Sequence, residues 1–322
     1  MPPCATPLRT RAVRQTVVMA PAPLEPSYRA LQQAAKRDLG LPALSPKLLD
    51  CIAGSLAFLR DNATKAPITS KVPGKTYFGF EYGTRASRAI NEGFFLDDVD
   101  EVVTTVEALL RGEVPSDPLD LHAALYSAAI AFPAVTDITK NGDRKSPGSF
   151  LEFFVGHLAA TAFDAIPSRQ ITVPTLDLQM SLPTDFVFDL GPNRSRIHLP
   201  VKASTRERVI QVWAHQRVLD GMHGVNRFRG LLVVLAETNR QTADNTVTEV
   251  CLPDQWTAYQ MYIAQLHRVY YFDVPDKYRK LRERYPFLEV KPFADFFYEY
   301  DEIAQPSLSM ETQVEQAMAE TD

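Results

Sequence analysis

Hydrolysis of a phosphodiester with a divalent metal asks for carboxylates that hold the cation against the phosphate. It also asks for a lysine that orients or activates water and offsets the developing charge. Asp185 and Lys202 are of the right types for this. Asp185 opens an apolar run over 186–190 and Lys202 closes another over 197–201, with Gly191, Pro192 and Asn193 between the runs. Two strands joined by such a turn form a hairpin that returns the chain, which would put the aspartate and the lysine near one end of a sheet. Glu152, on a helix predicted over 149–163, is a further acidic candidate if that helix packs along the same edge. A strand-end ion pair would use the same aspartate and lysine, so the residues beyond Lys202 bear on the choice.

Four residues after Lys202 the chain carries Arg206, Glu207 and Arg208, and a helix is predicted over 206–219. Two guanidinium forks around one carboxylate suit G·C pairs in the major groove. Arginine bonds O6 and N7 of guanine together, and glutamate accepts from N4 of cytosine. A solvated, charged helix start has the same composition, so both readings stand at this point.

With these residues in place the sequence resembles the PD-(D/E)XK restriction endonucleases that read CCGG, CCNGG or CCWGG cores. The matching residues are Asp185 in the Pro183, Thr184, Asp185 run, Lys202 in the Pro200, Val201, Lys202 run, the trio 206–208, and Gln211. The resemblance spans about 149–278 and includes the segment from Tyr270 to Pro275. It implies a type II enzyme that hydrolyses double-stranded DNA with Mg²⁺ at a palindromic site with a CC/GG core. Asp185 and Lys202 would be catalytic, Glu152 would match an upstream helical glutamate, and Arg206, Glu207 and Arg208 would read the bases. A palindromic target implies a twofold homodimer, with a tetramer the other arrangement left open.

One departure stands out. Two residues before the lysine the wider superfamily carries an acid, and here that residue is Pro200. In this branch the carboxylate moves to the next helix, thirteen or fourteen residues after the lysine, which gives His215 or Gln216. His215 is a candidate metal ligand or water-positioning group, since a neutral imidazole is cheap to bury; a helix-face histidine beside Trp213 is the other reading. Gln216 could hydrogen-bond a metal-bound water. A sequence-specific DNA-binding protein that has lost cleavage is the rival that the missing acid suggests.

The elements that must position these residues form an α/β, restriction-endonuclease-like core: a mixed central sheet flanked by helices, behind an N-terminal helical accessory region. Residues 1–145 are predicted mainly helical (26–39, from Ser45 with Pro46 at the first position, 100–110 stopped by Gly112, and 119–132 ended by Pro133) and assigned to dimerisation and DNA contacts. Between them, 62–83 reads as a loop or short hairpin whose Phe78, Phe80 and Tyr82, with Arg85 and Arg88 beyond, serve either as core and surface groups or as a site that stacks on a flipped base. The core spans 146–305, with strands at 170–173, 186–190, 197–201, 230–236 and 246–252, a helix over 255–269 and a charged helix over 276–284. Trp256, Tyr259, Tyr262, Ile263 and Leu266 recur at helical spacing, which indicates core or dimer contact. His157 and His267 receive no role, and 306–322 reads as a mobile acidic tail.

Composition bounds the possibilities. The 322 residues are 45% hydrophobic with a formal charge of −5, and the three cysteines lack the spacing of a disulfide framework or zinc site. No apolar run approaches the roughly 18 residues that span a bilayer, and no secretion signal opens the chain, so a cytoplasmic protein without a membrane partner is expected. A net negative charge is unfavourable for DNA binding, yet 194–229 holds Arg194, Arg196, Lys202, Arg206, Arg208, Arg217, Arg227 and Arg229 against Glu207 and Asp220.

Overall fold

Proline and aspartate open the helices of the N-terminal half. A computed structural model describes residues 24–173, 178–181, 185–192, 194–206 and 209–305; the tail read over 306–322 lies outside them. Pro26 sits in the first turn of α1 (Glu25–Asp38) and Pro46 in that of α2 (Ser45–Asn62), where the missing N–H leaves no bond unmade. Asp98 accepts from the N–H groups of Asp100 and Glu101 to start α3 (Val99–Leu110), and Asp117 accepts from Leu119 to start α4 (Pro118–Thr139). Pro133 does not end α4 as predicted. It lies inside the helix, whose continuation buries Ala134, Val135 and Ile138 and so outweighs the ~3 kcal/mol that an internal proline costs.

The segment 62–83 is a hairpin of strands β1 (Thr64–Ser70) and β2 (Tyr77–Tyr82), followed by the short β3 (Arg85–Ala86) and β4 (Ile90–Asn91). The N-terminal half is therefore not helical throughout. Further along, α5 (Lys145–Phe163) leads to the ribbon of β5 (Gln170–Val173) and β6 (Leu178–Ser181), then to β7 (Phe186–Phe188), β8 (Arg196–Leu199), β9 (Val201–Lys202) and α6 (Ile210–His223). The chain continues through β10 (Phe228–Val234), β11 (Thr238–Gln241), β12 (Thr246–Glu249), α7 (Pro253–Tyr262), β13 (Arg268–Tyr271), α8 (Asp276–Arg279), α9 (Leu281–Arg284), β14 (Val290–Pro292) and α10 (Phe296–Ala304). The helix predicted over 255–269 ends early, because 268–271 pairs with β10 and the Gln260 side chain takes up the N–H and C=O of Leu266.

The central sheet runs β14–β13–β10–β8–β7, with β9 also on β10. All its pairings are parallel except β7 against β8, so it is a mixed sheet. Alternation along β10 sorts the two faces: Leu231 and Val233 join one core with α4, α5 and α10, while Leu232 and Val234 join another with Trp213 of α6 and Trp256 of α7. Leu125 of α4, Phe154 of α5, Phe186, Leu231 and Tyr270 all belong to the first cluster, so one core runs through both halves of the chain.

A second sheet also joins the halves. Its order is β11–β12–β1–β2–β3 with β4 on β2, and β1 runs parallel to β12. The segment from Tyr270 to Pro275 is part of this seam: buried Asp273 accepts from Lys75 Nζ at 2.7 Å, Asn91 Nδ2 at 3.0 Å and Tyr77 Oη at 3.1 Å. Lys75 also meets Glu249 Oε1 at 2.6 Å.

Candidate active site

The predicted hairpin forms, with Phe186 opposite Leu199 and Phe188 opposite Ile197. Pro200 then separates β8 from β9, since it has no N–H for a ladder. Its carbonyl accepts from Val233 N at 3.0 Å, and the strand resumes as β9, which places Lys202 beside Val234. Asp185 closes this junction: its Oδ2 accepts from Val201 N at 2.6 Å and from Lys202 Nζ at 3.1 Å. The aspartate and the lysine are thus in direct contact, with side chains 14% and 34% exposed, at one end of the central sheet.

Glu152 arrives from α5. Gly156, one turn further along, permits the approach, because a Cβ there would stand 2.5 Å from the Phe186 ring. Burial raises the Glu152 pKa, and the Asp185 carboxylate raises it further, while Arg169 and Lys202 oppose the shift. Arg169 Nη2 donates to Glu152 Oε2 at 3.2 Å and lies over the Phe186 ring. Glu152 and Arg169 also line a cavity of about 600 Å³ with Lys36, Arg37 and Lys145 on its wall. Arg169 went unnoticed in the sequence because nothing in its neighbours marks it.

On α6, His215 lies within electrostatic reach of the pair: burial lowers its pKa, as does Lys202, while Asp185 pulls the other way. It is therefore a neutral imidazole near neutral pH. Gln216 points elsewhere, into the core. Its Nε2 donates to Phe228 O and to Asp220 Oδ1, both at 2.9 Å, and its Oε1 accepts from His198 Nδ1 at 3.1 Å. The Gln216 amide is thus taken up by core partners, and the residue is 1% exposed.

Among the described residues no three His, Cys, Asp or Glu side chains are grouped closely enough to enclose a metal ion. Magnesium needs fewer, since it binds through one or two carboxylates with water and substrate phosphate completing its shell. Asp185 and Glu152, whose charges repel across the site, fit such an ion as the protein's share.

The trio is only partly described, for Glu207 and Arg208 lie outside the described residues. Arg206 does not open a helix as predicted. It is an exposed turn residue, and α6 begins later at Ile210. Its Nη1 donates to Asn239 Oδ1 at 2.8 Å. Just before it, Thr205 is buried against Glu237, which no sequence pattern singled out.

The basic segment 194–229 divides. Parallel pairing sets Phe228 beside Arg196 and Arg229 beside Ile197, whereas Lys202 pairs with Val234 at the far end of β10. At about 3.3 Å per residue this separates Arg196 and Arg229 from the Asp185–Lys202 end by on the order of 17 Å. Arg229 caps the last carbonyls of α10, and Arg196 pairs with Asp189 at 3.1 Å. Phe78 and Phe80 are core residues, and Arg88 forms a two-pronged pair with Asp137, so this stretch behaves as a packed hairpin. Of the helical aromatics, Trp256 is buried and Tyr262 is 81% exposed. His157 braces the turn before α2 by accepting from Gly40 N and meeting Ser45 Oγ.

The fold is that of the restriction endonucleases, a mixed sheet flanked by helices with an additional N-terminal region. The crystal structure of the type IIP restriction endonuclease Kpn2I aligns with a TM-score of 0.74 at 25% identity, covering 87% of this chain and 97% of that one. Coverage of 87% carries the likeness well beyond 149–278, into the N-terminal half. A complex of the restriction endonuclease PspGI with substrate DNA aligns with a TM-score of 0.38 at 15% identity over 63% of this chain and 90% of that one. No family model and no curated protein sequence matches the chain.

Proposed function

We propose that the chain is a type II restriction endonuclease that hydrolyses both strands of duplex DNA at a palindromic site with a CC/GG core. The observation that carries this reading is the contact of Lys202 Nζ with Asp185 Oδ2 at 3.1 Å, one strand end away from Arg206. The fold shared with Kpn2I supports it.

In the proposed reaction Asp185 and Glu152 present carboxylate oxygens to one side of the scissile phosphate. Lys202 gives its ammonium to the phosphate or to the attacking water, which compensates charge as it develops. A magnesium ion held by the two carboxylates would neutralise phosphate charge and acidify that water. His215, neutral and half-buried, is proposed to orient the water or to add a ligand. Arg206, Glu207 and Arg208 read the paired C and G bases. Cutting two strands of a symmetric site calls for a twofold homodimer or a tetramer built from it.

Plasmid DNA incubated with the protein and Mg²⁺ should yield discrete fragments, and sequencing their ends would give the site and the cut position. Chelating the metal should stop cutting. A second reading, a DNA-binding protein that does not cut, is favoured by one observation: neither His215 nor Gln216 supplies the carboxylate expected on α6. Sequence-specific retention of DNA without fragments at any Mg²⁺ concentration would decide for that reading.

A further inference from the structure

Between the lysine proposed to assist the reaction and the trio proposed to read bases lie only Ala203, Ser204 and Thr205. We infer that Glu237 is a positioning residue for base recognition, holding the start of the charged trio in register with Lys202. The inference rests on the nuclease reading above.

The geometry is stepwise. Beyond the last ladder pair of β9 and β10, Leu235 N donates to Lys202 O at 3.0 Å and Ala236 N to Ala203 O at 3.2 Å. The two chains then part, and the Glu237 side chain bridges them. Thr205 N donates to its Oε1 at 2.9 Å and to Oε2 at 3.2 Å, Thr205 Oγ1 donates to Oε1, and Tyr271 Oη donates to Oε1 at 2.8 Å. Glu237 and Thr205 are each 1% exposed. One residue later Arg206 donates to Asn239, two positions past Glu237.

Residues 202–206 are therefore tied to 235–239 at successive points, and Glu237 is the last buried tie before Arg206. A buried carboxylate is a costly way to fill space, and an apolar pair of the same volume would hold the fold at least as well. What a carboxylate adds is direction: three donors converge on it, which fixes the backbone of Thr205 and so the departure of the chain toward Arg206. Such a device sets where the Arg206 guanidinium meets a base edge without touching DNA itself.

The test uses the full-length chain, its own cut site, and duplexes with one base pair of that site changed. In Glu237→Gln and in Thr205→Val, the ratio of kcat/KM on the true site to that on the changed sites should fall at least tenfold. Thr205→Ser, which keeps the hydroxyl, should retain the ratio. Hydrogen exchange at the Thr205 amide should quicken in Glu237→Gln while the β10 amides keep their protection. The inference is overturned if both variants discriminate as the wild type does, or if all duplexes slow by the same factor. A wild-type chain that neither cuts nor retains DNA sinks the nuclease reading, and this inference with it. Thr205→Val supplies the answer should Glu237→Gln fail to fold.

Discussion

Pro200 has no N–H to give a ladder, and the backbone around it is used differently. The N–H of Val201 is turned onto Asp185 rather than into a ladder, so one carboxylate both ends a strand and holds Lys202. Lys202→Ala should reduce cutting at least a hundredfold while leaving specific binding within a fewfold, as measured by plasmid cleavage alongside gel retardation. Asp185→Ala should in addition destabilise the protein by about 1–3 kcal/mol, because the N–H of Val201 is left without its acceptor, and Asp185→Asn should recover most of that stability but not the activity. Protonation of Glu152 would compete with the magnesium proposed to bind there. Since its pKa is raised, activity at limiting Mg²⁺ should fall on acidification before the ordinary carboxylate range is reached. Arg169 lowers that pKa, so Arg169→Ala should move the acid limb of the pH–rate profile to higher pH. The aspartate and the lysine were legible in the sequence because each borders an apolar run. Glu237 and Arg169 were not, since no hairpin joins them to their partners: α6 intervenes between Thr205 and Glu237, and the last turns of α5 between Glu152 and Arg169.

At the scale of elements, the placement of Glu152 depends on how closely α5 lies on β7. Gly156→Ala would drive a methyl group into the Phe186 ring. Overpacking of this kind costs about 1–3 kcal/mol, and it should also lift Glu152 away from Asp185, giving lower activity together with a lower melting temperature. Trimming the obstacle with Phe186→Leu in the same chain should restore part of both, which a simple loss of helix stability would not allow. The hairpin and the central strand could be foreseen because alternation and unbroken apolar runs are set by local burial. The helix over 206–219 was placed too early because charged residues before Ile210 resemble a helix start, whereas buried Thr205 is held in a turn by a distant carboxylate. The reach of α4 past Pro133 was hidden for a similar reason: local propensity counts the lost hydrogen bond and not the core that closes around the helix.

Taken whole, the molecule is joined across its halves by buried charge as well as by apolar packing. Lys75, from the turn between β1 and β2, answers Asp273 and Glu249 from the C-terminal half, and removing it would strand Asp273 in the interior. Lys75→Met should therefore cost about 3–5 kcal/mol, seen as a large drop in the denaturation midpoint. Acid should act through the histidines. His122, His157 and His198 are buried, and burial holds each at about 4 instead of the ordinary 6.5. The folded form thus binds fewer protons than the unfolded chain in that interval. The stability they confer is complete above about 6.5 and is lost progressively as the pH falls toward 4, so the melting temperature should decline across that window.

The length and composition of α4 give it an unusual dependence on the remainder of the chain. Polar residues interrupt every apolar run in it, yet taken as a helix its 22 residues are long and apolar enough to cross a bilayer, and most of them are buried inside the protein. During synthesis this helix leaves the ribosome before α5 and the central sheet exist to sheathe it. A fragment ending near residue 145 should accordingly precipitate or partition into detergent, and nascent chains of that length should be clients of chaperones that shield greasy segments.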